Sequence, residues 1–291
     1  MSVIVREGPG FRLERDGSGN TLVVTDRVSA EAVQLLASGS VDGLDLNYAK
    51  GFKDTDLEFI EAWPITRLSV LARTANNIEP LYRLPDLVSL SLNTGPKCRL
   101  DLRRMPKVVS LSADWALVSE SISERPEIED LYLGGFAEAD LGRLRWNVAL
   151  RRLRLKDRPR LESLDGVGSF QLLEQLGVWS APLADVAALR DLPSNRLTEL
   201  QLEACRVRDL GPLCSLTNLR FLNLSDEGDI PSVGGLASLK ALEVLWLFGT
   251  TRVVDGDLGV LAQLPLRELR IKSRKQYQPS VEALQTRIAG R

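Results

Sequence analysis

Apolar residues return along this chain in one short phrase. In Leu197-Thr198-Glu199-Leu200-Gln201-Leu202, and again in Leu219-Arg220-Phe221-Leu222-Asn223-Leu224, the first, fourth and sixth places are leucine and the places between them vary. Alternation with a period of two fits a short strand with one buried face. The phrase recurs every 20 to 24 residues, with its first place at Val41, Ile65, Leu87, Val108, Ile128, Leu150, Leu173, Leu197, Leu219, Leu242 and Leu266. A period of that size means one small unit stacked many times, because a single unit cannot bury its apolar face alone.

About 16 residues separate successive strands, too many for a hairpin and enough for a parallel crossover, so the pattern predicts one parallel sheet with right-handed connections. Later leucines in each unit, such as Leu210, Leu213 and Leu216, have a threefold spacing that predicts short helical turns closing the core from the far side. Pro64, Pro85, Pro106, Pro126 and Pro265 each stand one or two residues before a strand, where proline ends the turn and favours extended backbone.

These residues resemble the leucine-rich repeat family, in particular the subclass with a unit of about 22 residues found in internalin-like bacterial proteins and phosphatase-regulatory proteins. The resemblance implies an α/β fold: a right-handed solenoid, or horseshoe, with one curved parallel sheet whose concave face binds ligands. Eleven repeats span residues 41–273. The chain departs from the family at the ninth place, usually an asparagine or cysteine that satisfies turn backbone groups. Here it is Ala49, Arg73, Gly95, Ala116, Phe136, Arg158, Ala181, Cys205, Glu227, Thr250 and Arg274. Irregular turns follow, since buried amides still need partners.

Residues 1–40 and 274–291 have the pattern of caps, which a solenoid needs at its ends. Phe11 and Leu13 alternate with polar residues, Asp16-Gly17-Ser18-Gly19-Asn20 turns the chain, and Leu22-Val23-Val24 follows, which predicts a hairpin. Ser29 predicts a helix N-cap with Gly39 ending that helix, and Ser280 caps a second helix with Val281, Leu284 and Ile288 on one face. Caps and repeats together form one continuous domain.

Composition narrows the chemistry. A formal charge of -2 gives no global attraction to nucleic acid or anionic membrane. No apolar run reaches spanning length and no leader pattern opens the chain, so the expectation is a cytoplasmic protein. The absence of histidine removes the commonest general base, the Ser-His and Cys-His nucleophile pairs, and most zinc sites. Asp54 with Asp56 and Asp255 with Asp257 are solvated pairs on turns, and Gly8-Pro9-Gly10 and Gly166-Val167-Gly168 are turn glycines without the setting of a phosphate loop. Cys98, Cys205 and Cys214 form an odd set without CxxC spacing, as free thiols do. The chain is therefore expected to be no enzyme and to hold no cofactor or metal.

With the fourth and sixth places inward, the third, fifth and seventh face outward, and they fall into three zones. Strands two to four are small and hydroxylated: Ser69, Ser89, Ser91, Ser110 and Ser112. The sixth strand offers Arg152, Arg154 and Lys156 within the basic segment 143–160, with Tyr132 and Trp179 on the neighbouring strands and Trp115 farther off. Asp130 and Glu129 could neutralise these arginines across the strands. In strands nine and ten, Phe221, Val244, Trp246 and Phe248 face outward. A patch of that kind calls for a partner protein, a second copy, or cover from residues 274–291. The expected function is a protein-protein interaction module, of regulatory or immunity-inhibitor type. Its concave face carries Trp115, Tyr132, Arg152, Arg154, Lys156, Trp179, Phe221, Val244, Trp246 and Phe248, the basic strand taking an acidic segment of the partner. The alternative is nucleic-acid binding through 143–160.

Overall fold

The computed structural model describes residues 2–193 and 195–290, so the outermost residue of each expected cap, Met1 and Arg291, lies outside the described residues. The chain divides into two compact units, Met1–Ile128 and Glu129–Arg291.

In the first unit, β1 (Val3–Gly8), β2 (Phe11–Asp16) and β3 (Gly19–Val24) run antiparallel. The β2–β3 hairpin is the one its alternation predicts, while β1 is an addition whose Val3, Ile4 and Val5 are exposed. Helix α1 (Ala30–Ala37) starts where Ser29 accepts the Ala32 N–H at 3.2 Å, and Gly39 follows its end at φ 71°. From β3 onward the sheet is parallel, through β4 (Gly43–Asn47), β5 (Arg67–Leu71), β6 (Ser89–Asn93) and β7 (Ser110–Asp114). A one-turn helix, α2 (Trp115–Val118), follows β7.

The second unit continues the pattern with β8 (Asp130–Gly134), β9 (Arg152–Lys156), β10 (Gln175–Trp179), β11 (Glu199–Glu203), β12 (Phe221–Asn223), β13 (Asp229–Ile230), β14 (Val244–Leu247), β15 (Arg252–Val253), β16 (Glu268–Ile271) and the C-terminal helix α3 (Val281–Ala289). The main sheet runs β8-β9-β10-β11-β12-β14-β16, all parallel, and β13 pairs with β15 separately. In all eleven repeats the strand opens at the third place. Leu131, Leu153, Leu176, Leu200, Leu222, Leu245 and Leu269 align across the sheet in register, and each is buried. Behind them, tight turns such as Gly211–Ser215 and Gly234–Ser238 are 3₁₀. With three residues per turn, that geometry puts Leu210, Leu213 and Leu216 on one side, and all three are buried.

After each strand the chain must reverse, and here the structure answers the missing asparagines. The eighth place is left-handed in six successive repeats, at Gly135, Asp157, Ser180, Ala204, Asp226 and Gly249. At Gly249 (φ 70°) a Cβ would lie 1.9 Å from Asp226 Oδ1, so a side chain there would push aside the carboxylate that accepts the Thr250 N–H. The ninth-place amides are taken up by the next repeat. The Ala181 N–H donates to the Cys205 sulfur, the Cys205 N–H donates to Glu227 Oε1 at 2.9 Å, and the Glu227 N–H donates to Thr251 Oγ1 at 3.0 Å. Thr251 in turn donates to the Leu224 carbonyl at 2.7 Å. A thiol, a carboxyl and a hydroxyl thus do the work of an amide ladder. Burial, together with the nearby Glu227 carboxyl, pushes the Cys205 thiol up to about 12, so it stays protonated. Burial raises Glu227 to about 7 although it accepts two backbone N–H groups, from Cys205 and Val207.

The first unit satisfies its turns differently. The Arg125 guanidinium is buried and donates to the carbonyls of Leu102 at 3.0 Å, Pro106 and Val108 at 2.9 Å, and also to that of Met105. These carbonyls belong to the 3₁₀ turn Leu102–Arg104 and the bend that leads into its strand; those of Leu102 and Met105 also accept the Met105 and Val108 amides, at 3.1 and 3.2 Å.

Two stability measurements test these devices. Arg125→Ala should cost about 3 kcal/mol in urea denaturation, because it takes the guanidinium donor from the carbonyls of Pro106 and Val108 and a second donor from those of Leu102 and Met105. Glu227 has a higher pKa folded than its ordinary value of 4.5, so the native state holds its proton more tightly than the unfolded chain. Its contribution is greatest below about 4.5 and is lost as pH rises towards about 7, a difference on the order of 3 kcal/mol. The stability of the wild type relative to Glu227→Gln should therefore fall between pH 5 and pH 8 and level off above; a flat difference would contradict a raised carboxyl.

Candidate partner-binding face

On the second unit's outward sheet face, the third-, fifth- and seventh-place side chains stand in rows. The fifth-place row runs Tyr132, Arg154, Gly177, Gln201, Asn223, Trp246 and Arg270, and the third-place row Asp130, Arg152, Gln175, Glu199, Phe221, Val244 and Glu268. Strand pairing is what brings residues more than 100 positions apart onto one surface.

The basic strand is largely compensated. Asp130 Oδ2 lies 3.0 Å from Arg152 and Oδ1 lies 2.8 Å from Arg154, while Arg151 pairs with Glu129 and Glu174 on either side. The cross-strand neutralisation offered by Asp130 and Glu129 is thus realised, with Asp130 holding two guanidiniums and Glu129 reaching Arg151. Lys156 meets no carboxylate among the described residues and sits instead over the Trp179 ring, 4.2 Å from its centroid. That ring folds back across Gly177, where a Cβ would come within 2.2 Å of it. A glycine inside a strand commonly marks such a close approach. Tyr132 is half-buried beside Arg154 in this row.

The aromatic zone is also partly covered, though not by the C-terminal cap. Phe221 meets Trp246 edge-on with ring centroids 4.8 Å apart. Arg270 of β16 lies 4.2 Å above the Trp246 ring, and the indole N–H donates to Glu268 at 3.0 Å. Lys272 reaches over Phe248 at 5.5 Å. Val244, Phe221 and Trp246 are half-buried, whereas Phe248 remains 53% exposed. Helix α3 instead packs against β16 and the Gly259–Gln263 turn, burying Val281 and Leu284. The lids were missed in the sequence because Glu268, Arg270 and Lys272 belong to the last repeat, where charge looks like an ordinary solvated edge.

One expected site residue does not belong on this face. Trp115, in the first unit, is only 4% exposed: it opens α2 rather than continuing β7, so its ring turns into the core and offers a partner no surface. The serine zone is as read, with Ser69, Ser91 and Ser112 in one row and Ser89 and Ser110 in the next.

Among the described residues no helix is long and apolar enough to cross a membrane. No family of known sequences matches the chain, and no curated protein matches it in sequence. Solved structures do. An internalin, inlF of Listeria monocytogenes, superposes with a TM-score of 0.60 at 19% identity, over 89% of this chain and 84% of its own. The functional domain of InlJ of the same organism, which includes a cysteine ladder, gives 0.53 at 14% identity, over 86% of this chain and 63% of its own. The ectodomain of the plant membrane receptor kinase GASSHO1/SCHENGEN3 from Arabidopsis thaliana, in complex with CASPARIAN STRIP INTEGRITY FACTOR 2, gives 0.54 at 15% identity, over 85% of this chain and 31% of its own. At such identities the likeness is one of fold.

The shared carboxylate makes a testable point. Asp130 has a side chain only 18% exposed, so losing both arginines strands a half-buried charge, while losing one leaves the other in place. Arg152→Ala and Arg154→Ala should each cost well under 1 kcal/mol and the double replacement about 1 kcal/mol or slightly more. Chemical denaturation of the four-protein cycle reads this non-additivity; strictly additive losses would show that Asp130 is not shared.

Proposed function

We propose that this leucine-rich repeat protein is a non-enzymatic recognition module that binds a partner protein on the outward sheet face of residues 129–290. The observation that carries the reading is the aromatic platform of Phe221, Trp246 and Phe248, in which cations lie over rings and one large ring is still more than half in water. Phe248 is the apolar anchor, Trp246 and Val244 its fixed surround, and Trp179 under Lys156 a second aromatic contact three strands away. Rigid aromatic and arginine side chains of this sort lose little entropy on docking. Arg152 and Arg154 orient polar groups of the partner through the two hydrogen-bonding edges that Asp130 leaves open. A receptor ectodomain of the same fold, solved in complex with CASPARIAN STRIP INTEGRITY FACTOR 2, supports a recognition role for such a scaffold. The role is that of a regulatory or inhibitory subunit in the cytoplasm, where Cys98, Cys205 and Cys214 stay as free thiols.

Nucleic-acid binding through 143–160 loses support, since the guanidiniums of Arg151, Arg152 and Arg154 are already held by carboxylates. Self-association through Phe248 is an outcome that the same experiment resolves.

The half-buried state of Trp246 divides the test. Phe248→Ser should leave the melting temperature nearly unchanged and weaken capture of the native partner, or of a second copy, by about tenfold or more. Trp246→Ser should in addition lower stability by about 2 kcal/mol, because it removes an edge-to-face pair and two lids. Affinity measured on partners recovered by pull-down, with sedimentation of the protein alone, checks both. Unchanged binding by Phe248→Ser to every recovered partner would move the site elsewhere.

A further inference from the structure

Where strands give way to turns, the second unit has a rim that the sheet face does not use. After β9 the chain continues Arg158-Pro159-Arg160, after β10 Ser180-Ala181-Pro182, and after β11 Ala204-Cys205-Arg206. One repeat therefore has small residues in the turn after its strand, where both its neighbours carry arginine within that turn. The result is a cleft of about 520 Å³ with Ser180, Ala181 and Pro182 on its floor and Arg158, Arg160 and Arg206 on its walls. Two strand spacings separate the walls, roughly 10 Å, the width of one extended chain.

We propose that this cleft recognises an acidic peptide segment of the partner protein, a deepening that rests on the recognition role given above. Its three guanidiniums are exposed and meet no carboxylate among the described residues. Elsewhere in the same unit Arg151, Arg152, Arg154 and Arg252 all have acidic partners. The walls are also anchored. The Arg160 N–H donates to the Phe136 carbonyl at 2.8 Å and the Arg206 N–H to the Leu183 carbonyl at 2.8 Å, while the Cys205–Glu227–Thr251 ladder fixes the bend beneath Arg206. Free forks on fixed backbone suit bidentate capture of side-chain carboxylates. Glu162 lines the same cleft. An acid there repels the continuous charge of a phosphate backbone, and it can accept from the N–H groups that a peptide carries between its charges. Peptide is therefore favoured over nucleic acid. The acidic segment expected on the sheet face at Arg152 and Arg154 is better met here, because those two are held by Asp130.

The test uses the full chain and a fluorescein-labelled hexaglutamate, followed by anisotropy at about 20 mM salt, where surface charges are little screened. Saturable binding is expected, with none by a hexaglutamine control. Arg206→Ala, and separately the pair Arg158→Ala with Arg160→Ala, should each weaken it about tenfold or more, and Arg206→Lys should weaken it less than Arg206→Ala, because charge survives while the fork is lost. Lys275→Ala with Arg287→Ala, which removes two exposed charges outside the cleft, should change it less than about threefold. Absence of hexaglutamate binding, equal binding of hexaglutamine, or an equal loss in the Lys275/Arg287 variant would overturn the assignment. So would tighter binding of a single-stranded oligothymidylate, or displacement by sub-millimolar inorganic phosphate. None of these outcomes touches Phe248, so failure here is distinguishable from failure of partner binding at the aromatic platform.

Discussion

No repeat in this chain can close a core alone. Leu200 and Leu202 are fully buried only because Leu176 and Val178 on one side and Leu222 on the other stand in register with them. Everything else follows from that dependence on neighbours. The parallel sheet brings the leucines level, the 3₁₀ turns return the chain to the next strand, and α3 packs against the last strand, β16. Because the inward places are committed to this stacking, the outward places are left to vary, and the two candidate binding surfaces consist of residues with no part in it.

The same dependence governs the polar groups. Each strand must turn away from the sheet, and the turn leaves amides that water cannot reach. In the second unit a ninth- or tenth-place side chain of one repeat serves the ninth-place amide of the repeat before it, through sulfur at Cys205, carboxyl at Glu227 and hydroxyl at Thr251. In the first unit Arg125 supplies the complementary service to carbonyls. Different chemistries are interchangeable here because only the position of a donor or acceptor matters. The cost appears in protonation, since a carboxyl in so dry a place is reluctant to ionise.

Strand positions were legible in the sequence because one leucine phrase, repeated eleven times, allows a single register: a slip by one residue would expose Leu131 and bury Asp130. Ser29 and Ser280 were legible as caps for equally local reasons. Trp115 was not, because alternation assigns it a face only if the strand continues, and α2 begins at that residue. The turn geometry was hidden as well. Ala204 and Ser180 give no sign of left-handed backbone, which neighbouring repeats impose on them. At the binding face the residue types and their outward direction were readable, but the pairing of Asp130 with two arginines and the lids over Trp246 depend on which strand lies beside which and on chosen rotamers. The rim cleft stayed out of sight because Arg206 is 46 or more positions from Arg158 and Arg160 in the chain and meets them only through two steps of stacking.

Left-handed backbone at the eighth place has a consequence for how this chain can be improved. Asp157, Ser180 and Ala204 each hold a conformation that side chains disfavour, at about 1 kcal/mol apiece for a residue that gains nothing local in return; Asp226 shares the conformation, but its carboxylate accepts the Thr250 N–H at 2.9 Å. Gly135 and Gly249 show that the same bend is built without that strain. The fold is thus held below its attainable stability at three corners, where glycine would tighten the scaffold and a side chain that is kept, as at Ser180 on the floor of the rim cleft, would be a mark of use rather than of architecture.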